Sequence, residues 1–388
     1  MTMQESTITQ FEGAPRPPEP VPLERADDLG IVQVLDRDGL PNGNHPDPML
    51  DRSVVVKMYE TMVMVAELDR IGWQLQRSGR LEFWIPSRGQ EAAHVASTAA
   101  LDPSDWIFLA DREPGSFIWR GAQLTQMFAQ FFGRRDEPLK GRRLPLLLGD
   151  RRLNIVPCTT QVGSYLPHAA GAAWAAKLQG DDTRFIVYFG DGATSRGEFH
   201  SALNFAGIHR PPVVFFCQNN GWAVSTPNDR QTASDTFAEK ADAYKVRSVR
   251  VDGNDPLAVF AATTAALEAM PQEGATLIEA VTYRLGFHTS SDNPDLYRSE
   301  EEVANWKRWD PLDRTRGYLM HREWWSDEQD EALRESCVQQ LRAAISAAEQ
   351  LPKEGPEAQF VDVFEASNWM LDDQQQVLLD DLAGSGAS

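Results

Sequence analysis

Two groups of polar residues, each placed where an apolar run ends, are the positions at which this sequence is best suited to chemistry. Asp191 stands between Gly190 and Gly192 after the apolar run 185–189, and Asn219-Asn220 follow the apolar run 213–217. A carboxylate and an amide supply hard oxygen ligands. Mg²⁺ takes few such ligands from protein and completes its shell with phosphate and water. The residue types therefore indicate a magnesium-phosphate site, provided that the two run ends meet.

The segment between the two runs predicts that they do meet. Phe199, Leu203 and Ala206 recur at helical spacing, so the order is strand, helix, strand. A helical crossover makes the two strands parallel and brings both carboxyl ends to one sheet edge, where open α/β sheets bind ligands. The helix that follows Gly192 would present free N–H groups to a phosphate.

The rest of the chain predicts an α/β fold, a mostly parallel sheet with helices on both faces. Apolar periodicity predicts helices over residues 52–78, 89–100, 124–132, 167–178, 237–244 and 256–270, strands over 106–112, 246–251 and 275–282, and a long loop over 133–157. We divide the chain into an extended N-terminal arm (1–50), the α/β domain (51–300) and a helical C-terminal region (301–388).

Composition excludes several classes of function. The net charge of −20 and the pI near 4.8 argue against a nucleic-acid binder, which needs a cationic face. The three cysteines, Cys158, Cys217 and Cys337, lack metal-type spacing. No apolar run is long enough for a membrane helix, and the acidic, proline-rich start resembles no targeting segment, so we expect a cytoplasmic protein.

The Gly-Asp-Gly and Asn-Asn pair resembles the thiamine-diphosphate motif. The stretches FGDGATSRGEFHSALNFA and NNGWAVSTP are similar to the alpha subunits of the decarboxylating component of 2-oxo acid dehydrogenase complexes. The resemblance covers most of residues 50–370. It implies a thiamine-diphosphate-binding fold of the diphosphate-binding type, with thiamine diphosphate and magnesium as cofactors and a monovalent cation near residues 159–165.

The resemblance also implies roles for individual residues. The metal ligands would be Asp191, Asn220 and the carbonyl of Trp222. His288 would be the active-site histidine, titrating near neutrality, with Arg284 and Arg298 organising its loop. Contacts to the cofactor would come from Arg112, Thr160, Val162, Gly192, Ala193, Gln218, Asn220 and His288.

The implied reaction is the oxidative decarboxylation of a branched-chain 2-oxo acid, with acyl transfer to a lipoyl group. The Lys-Gly-Arg segment at 140–142 and the Gly-Asn-Asp segment at 253–255 favour the branched-chain enzymes, and a pyruvate or acetoin dehydrogenase alpha subunit is the alternative. Since the chain shows one cofactor-binding unit, we expect a beta subunit, as two alpha and two beta chains, and a lipoyl-bearing acyltransferase. Phosphorylation at Thr289 is not expected.

Four residues depart from the pattern of this family. Asp111 stands where a tyrosine usually precedes Arg112, and Arg196 replaces a common glutamate. Leu147 replaces a histidine, and Gln218 stands where some relatives carry arginine. These departures keep open a third reading, a non-catalytic homologue of the same fold.

Overall fold

The computed structural model describes residues 30–135, 140–157 and 159–385. Among these residues the helices are α1 (Arg52–Arg77), α2 (Glu91–Ala99), α3 (Pro114–Trp119), α4 (Leu124–Phe131), α5 (Leu166–Gln179), α6 (Gly197–His209), α7 (Pro256–Glu273), α8 (Glu300–Lys307), α9 (Pro311–His321), α10 (Asp327–Gln350) and α11 (Trp369–Ser385). The strands are β1 (Ile31–Val32), β2 (Trp106–Phe108), β3 (Ile155–Val156), β4 (Phe185–Gly190), β5 (Val213–Asn219), β6 (Trp222–Ala223), β7 (Thr226–Pro227), β8 (Arg247–Asp252) and β9 (Thr276–Val281).

A seven-stranded sheet in the order β1-β8-β9-β5-β4-β2-β3 forms the centre, and all its strand pairs are parallel. The residues of β5 and β9 are all buried, which explains why β5 begins with the continuous apolar run 213–217 rather than an alternating pattern. Helices cover both faces. The predicted α/β class and mostly parallel sheet are confirmed.

Two groups of helices pack on the sheet. Helices α5 and α6 pack against each other, and α5 also contacts β4 and β5, whereas α2 packs against α1, α3 and α7. The apolar periodicity of α1 places Val55, Met62 and Leu68 in the core, fully buried. The helix ends before Gly79, whose φ of 72° lies in the left-handed region.

The structure differs from the sequence prediction in several places, and the predicted strand 106–112, for example, ends at Phe108. The predicted loop 133–157 contains β3, which pairs with β2, and two residues are too few to show a periodicity. Helix α3 was not predicted because it has only six residues. The predicted helix at 237–244 is a 3-10 helix, Ala238–Tyr244.

The segment after residue 30 packs into the domain. β1 pairs with β8, and Val34 and Leu35 are fully buried. Residues 1–29 of the predicted arm lie outside the described residues, and the predicted domain boundaries stay a prediction. In the part of the chain described here, no helix is long and apolar enough to cross a membrane.

Candidate active site

The ends of β4 and β5 bring the predicted ligands to one edge. The two strands are paired in parallel with Gly190 opposite Gln218, so Asp191 and Asn220 follow directly at the carboxyl edge. Asp191 is 1% exposed and Asn220 is 5% exposed. The backbone N–H of Asn220 donates to the Asp191 carboxylate. The structure thus places these two residues in direct contact, as the strand-helix-strand pattern predicts.

The Asp191 carboxyl group is buried and held by amides. Burial raises its pKa above the ordinary value, and the hydrogen bond from Gln231 Nε2 to Oδ2 (2.7 Å) opposes that rise. The amide nitrogen of Asn228 can also donate to Oδ2, at 3.2 Å. Sequence reasoning missed Gln231 and Asn228, because the segment 228–234 has no periodicity that would aim its side chains.

Asn220 and Trp222 supply two further oxygens at this edge. Asn220 Nδ2 donates to Gln90 Oε1 (3.2 Å), and its Oδ1 accepts from the backbone N–H of Trp222 (3.2 Å). The carbonyl oxygen of Trp222 accepts from Arg284 Nη1 (3.3 Å). A carboxylate, an amide oxygen and a carbonyl oxygen therefore lie at the ends of neighbouring elements. This donor set is of the type that Mg²⁺ prefers.

The turn after Asp191 has room for backbone but not for an added side chain. Residues Asp191–Ser195 form a 3-10 helix that leads into α6. A Cβ atom placed on Gly192 would lie 2.7 Å from the Cβ of Ala223, closer than two such atoms approach. Ala193 is fully buried. Gly192 therefore allows this turn to pack against β6.

The loop that carries Thr160 and Val162 runs beside the same turn. A Cβ atom on Gly163 would lie 3.7 Å from the Cβ of Ala193. Thr160 is exposed, and 51% of Val162 is exposed. The structure places Gly163, the residue after Val162, beside Ala193, and Val162 presents an exposed apolar surface.

Arg112 and His288 meet across the site. Arg112, only 5% exposed, donates from Nη2 to His288 Nδ1 (2.8 Å) and to the His288 carbonyl oxygen (2.7 Å). Its Nη1 donates to the carbonyl of Pro86 (2.6 Å), and Arg284 Nη1 lies 3.3 Å from His288 Nδ1. Arginines only donate hydrogen bonds, so Nδ1 of His288 accepts and the ring is neutral with its hydrogen on Nε2.

The titration of His288 differs from the sequence prediction. Burial first, and then the charges of Arg112 and Arg284, lower its pKa to about 3, so the predicted titration near neutrality is wrong for the protein without cofactor. The sequence could not show this, because Arg112 lies far from His288 along the chain.

The His288 loop is fixed by its own polar residues. The Asp292 carboxylate accepts from the His288 backbone N–H (2.7 Å) and from the Tyr297 hydroxyl (2.6 Å). Arg284 donates to the Tyr297 hydroxyl (2.8 Å), and Arg298 donates to the carbonyl of Gly286 (2.5 Å). Both arginines hold this loop, as the resemblance predicts.

Gln218 has an acidic neighbour that sequence reasoning missed. Its Nε2 donates to Oε1 of Glu113, which caps α3 and is 2% exposed. The other oxygen of Glu113 accepts from the backbone N–H groups of Ala110 (2.8 Å) and Arg112 (3.2 Å). Burial and then the charge of Asp111 raise the pKa of Glu113 to about 8.

The side chains at the other departures make none of these hydrogen bonds, but Asp111 adjoins Arg112 and Arg196 packs beside Gly163. The Asp111 carboxylate is 40% exposed, with Oδ1 3.9 Å from Arg112 Nε. Leu147 is buried in the apolar core. Arg196 is half exposed, and its Nη2 lies 3.4 Å from Glu198. Cys217 is buried within β5, and Cys158 lies outside the described residues.

Several buried polar atoms around this edge have no hydrogen-bond partner among the described residues: Gln90 Nε2, Gln218 Oε1, Gln231 Oε1 and Arg284 Nε. Buried polar atoms are rarely left unpaired in native proteins unless a ligand or water completes them. Together with the close-packed Gly192 turn, they fit a site that receives a polar ligand. Within the described residues, no cluster of three or more histidine, cysteine or acidic side chains is placed to hold a metal.

Comparisons with known proteins agree with this geometry. Residues 59–357 match the family model described as the dehydrogenase E1 component. The chain is 40% identical over 345 residues to the 2-oxoisovalerate dehydrogenase subunit alpha 2, mitochondrial, of Arabidopsis thaliana, covering 88% of this chain and 73% of that protein. It is 38% identical over 352 residues to the 2-oxoisovalerate dehydrogenase subunit alpha, mitochondrial, of Homo sapiens, covering 90% of this chain and 79% of that protein. The Caenorhabditis elegans protein of that name is 40% identical, with 89% and 81% covered.

Proposed function

The chain belongs to the dehydrogenase E1 component family of thiamine-diphosphate-dependent 2-oxo acid dehydrogenases, and from that premise we propose that it is the alpha subunit of a branched-chain enzyme. Its substrate would be 3-methyl-2-oxobutanoate, also called 2-oxoisovalerate, or a related branched 2-oxo acid. The relatives named above, from a plant, an animal and human, all act on 2-oxoisovalerate by name.

One observation carries the proposal. Asp191 and Asn220 touch at the carboxyl edge of paired β4 and β5, and buried polar atoms without partners surround them. An edge of this kind is where α/β sheets bind ligands. A structural turn would have no reason to leave the donors Gln90 Nε2 and Arg284 Nε buried and unpaired.

We assign the metal to magnesium, held by Asp191, Asn220 and the carbonyl oxygen of Trp222. Support comes from the buried carboxylate beside two neutral oxygen donors. In the wider site, Gly192 and Ala193 would offer backbone groups to the diphosphate and Arg112 a charge-assisted hydrogen bond. Thr160, Val162, Gln218 and His288 would complete the contacts. The monovalent cation near residues 159–165 stays a prediction, as does the cytoplasmic location.

The reaction divides between cofactor and protein. Thiamine diphosphate, when bound, supplies the carbanion chemistry and the electron sink for loss of carbon dioxide. The neutral His288 offers its Nε2–H as a donor while Arg112 holds Nδ1, so the ring is fixed in one tautomer and orientation. Asp292 holds the backbone of His288 in place. These residues position a proton donor rather than provide a charged one.

The site would be completed by a beta subunit, in an assembly of two alpha and two beta chains that passes its acyl group to a lipoyl-bearing acyltransferase. The described residues contain one parallel sheet, with one diphosphate-type edge, and membership of the family implies a beta partner. The stoichiometry and the acyltransferase follow from the resemblance.

The test is to co-express the chain with a beta subunit from the same genome and measure decarboxylation with magnesium and thiamine diphosphate. We expect turnover of 3-methyl-2-oxobutanoate with kcat/KM at least about tenfold above that for pyruvate, because one or two extra methyl groups in an apolar pocket are worth ~1–3 kcal/mol. We also expect negligible turnover by the isolated chain.

Three outcomes would contradict parts of this proposal. Preference for pyruvate or acetoin would replace the branched-chain assignment with the alternative. Full activity of the isolated chain would refute the shared site. A complex that assembles but binds no thiamine diphosphate in calorimetry would indicate a non-catalytic homologue.

A further inference from the structure

The pair formed by Glu113 and Gln218 is buried next to the proposed diphosphate site. Gln218 lies near the end of β5, and Asn220 directly follows the last residue of that strand. Gln218 contacts Glu113, and Asn220 contacts Gln90. Glu113 and Gln218 are each 2% exposed, so water does not compensate either group.

With Gln218 Nε2 donating to Glu113 Oε1, the pair leaves an acceptor atom unpaired. Gln218 Oε1 is buried and has no partner among the described residues. An ionised Glu113 requires this arrangement, because a carboxylate only accepts hydrogen bonds. A diphosphate also only accepts hydrogen bonds. An unpaired amide oxygen that faces this site would therefore repel the ligand.

Reversal of the amide removes the conflict if Glu113 is a carboxylic acid. Its Oε2 already accepts from the N–H groups of Ala110 and Arg112 and can be the carbonyl oxygen of the acid. Oε1 would then carry the proton and donate to Gln218 Oε1. Both hydrogens of the Gln218 amide nitrogen become available. The positions of amide O and N and of protons are assigned from such networks.

The groups around Glu113 favour the acid. Burial raises its pKa, the charge of Asp111 raises it further, and the value is about 8. The guanidinium of Arg112 points away, toward Pro86 and His288. A relative with arginine at position 218 would instead ion-pair with this glutamate and keep it charged.

We propose that Glu113 is protonated when the cofactor is bound, that it donates to Gln218 Oε1, and that it thereby turns the Gln218 amide N–H groups toward the diphosphate. This inference rests on the proposed function, because it assumes that thiamine diphosphate binds at this edge. Glu113 is a positioning residue here: it acts through Gln218 and keeps a negative charge away from the diphosphate.

The proposal is tested by calorimetry of thiamine diphosphate binding, with magnesium, to the complex of the full chain and its beta subunit. Titrations at about pH 9 in two buffers of different ionisation enthalpy give the protons taken up on binding. We expect the wild type to take up close to one proton per site more than Glu113→Gln. The glutamine mimics the acid, since its amide N–H groups can donate to Gln218 Oε1.

Affinity gives a second readout. Above pH ~8 the Kd of the wild type for thiamine diphosphate should rise by up to about tenfold per pH unit relative to that of Glu113→Gln. Below that pH the Kd values of the two proteins should be equal. Gln218→Arg should bind the cofactor but lose the extra proton uptake, because the arginine pairs with ionised Glu113. Asp182→Asn removes an exposed carboxylate that has no part in the pKa shift of Glu113, so it is the control and should retain the uptake.

Infrared difference spectra of bound minus free complex report on the acid itself and need no variant to fold. At about pH 9 a carboxylic-acid carbonyl band should appear on binding in the wild type. Equal proton uptake in wild type and Glu113→Gln, retention of the extra uptake in Gln218→Arg, or absence of that band would each overturn the inference. Failure of every form to bind thiamine diphosphate would instead refute the proposed function.

Discussion

Two clusters of buried charge lie at the carboxyl edge of the same sheet and differ in how the charge of their carboxylates is balanced. At the end of β8, Arg314 Nη1 lies 2.8 Å from Asp252 Oδ2, and Arg314 also contacts Asp255 and the carbonyl of Asp36. At the ends of β4 and β5, Asp191 is hydrogen-bonded by amides, and the charge of Arg284 lowers its pKa by less than these hydrogen bonds do.

This difference distinguishes a cluster that stabilises the fold, around Arg314, from one that is suited to bind a ligand, around Asp191. The Arg314 cluster carries its own counter-charge and joins three distant segments, because Asp255 also accepts from the N–H groups of Val34 and Leu35. The Asp191 edge has buried polar atoms that the described residues do not pair. A closed ionic cluster stabilises the fold, whereas an open one costs stability until a ligand binds.

The largest effect that tests this contrast is expected from Arg314→Leu. The side chain is fully buried, and its loss leaves Asp252 and Asp255 without their counter-charge, so the free energy of unfolding should fall by about 3–5 kcal/mol. Urea unfolding of the assembled protein measures it. Arg316→Leu removes a more exposed arginine from the same helix and should cost under about 1 kcal/mol. Equal losses in the two variants would show that the cluster is not a scaffold.

A smaller effect on stability, with a large one on binding, is expected from Asp191→Asn. The affinity for magnesium and thiamine diphosphate should fall at least about hundredfold, because even indirect partners of a metal site contribute 10–100-fold. The free energy of unfolding should not fall, since burial already disfavours the carboxylate. Asp229→Asn, an exposed carboxylate of the nearby loop, is the control. Retained affinity in Asp191→Asn would place the metal elsewhere.

The smallest effect concerns His288 in the cofactor-free protein. Its pKa of about 3 in the folded protein lies below the ordinary value near 6.5. Between these two pH values the unfolded chain therefore binds more protons than the folded one. The stability contributed by neutral His288 is lost progressively as pH falls below about 6.5. NMR of the imidazole should show a neutral ring across that range, and His288→Asn should flatten part of the pH dependence of unfolding. A ring that titrates near pH 6.5 would refute the pairing with Arg112.

The sequence predicted the elements that have a strong local signal. The apolar runs before Asp191 and Asn219 became β4 and β5, longer by only one or two residues, because buried parallel strands need continuous apolar side chains. The same spacing predicted that both residues share an edge. Gly79 marked the end of α1 because its conformation is one that few other residues adopt.

What the sequence could not give are contacts between distant segments. Gln231 reaches Asp191, Glu113 reaches Gln218, and Arg314 reaches Asp252, each pair brought together only by the folded sheet. No local sequence pattern around these residues indicates which distant residue each of them contacts. The lowered pKa of His288 is of the same kind, because it depends on Arg112 from another element.

Strand β1 protects the molecule against association with other copies of itself through the edge of the sheet. Its pairing with β8 occupies backbone groups that would otherwise form an open border of the sheet, and the buried Leu35 follows at once. A bare strand of that type is a template for pairing between chains, which leads to swapped dimers and amyloid-like association. The two-residue strand β1, Ile31–Val32, thus covers this edge of the sheet and limits the addition of further strands there.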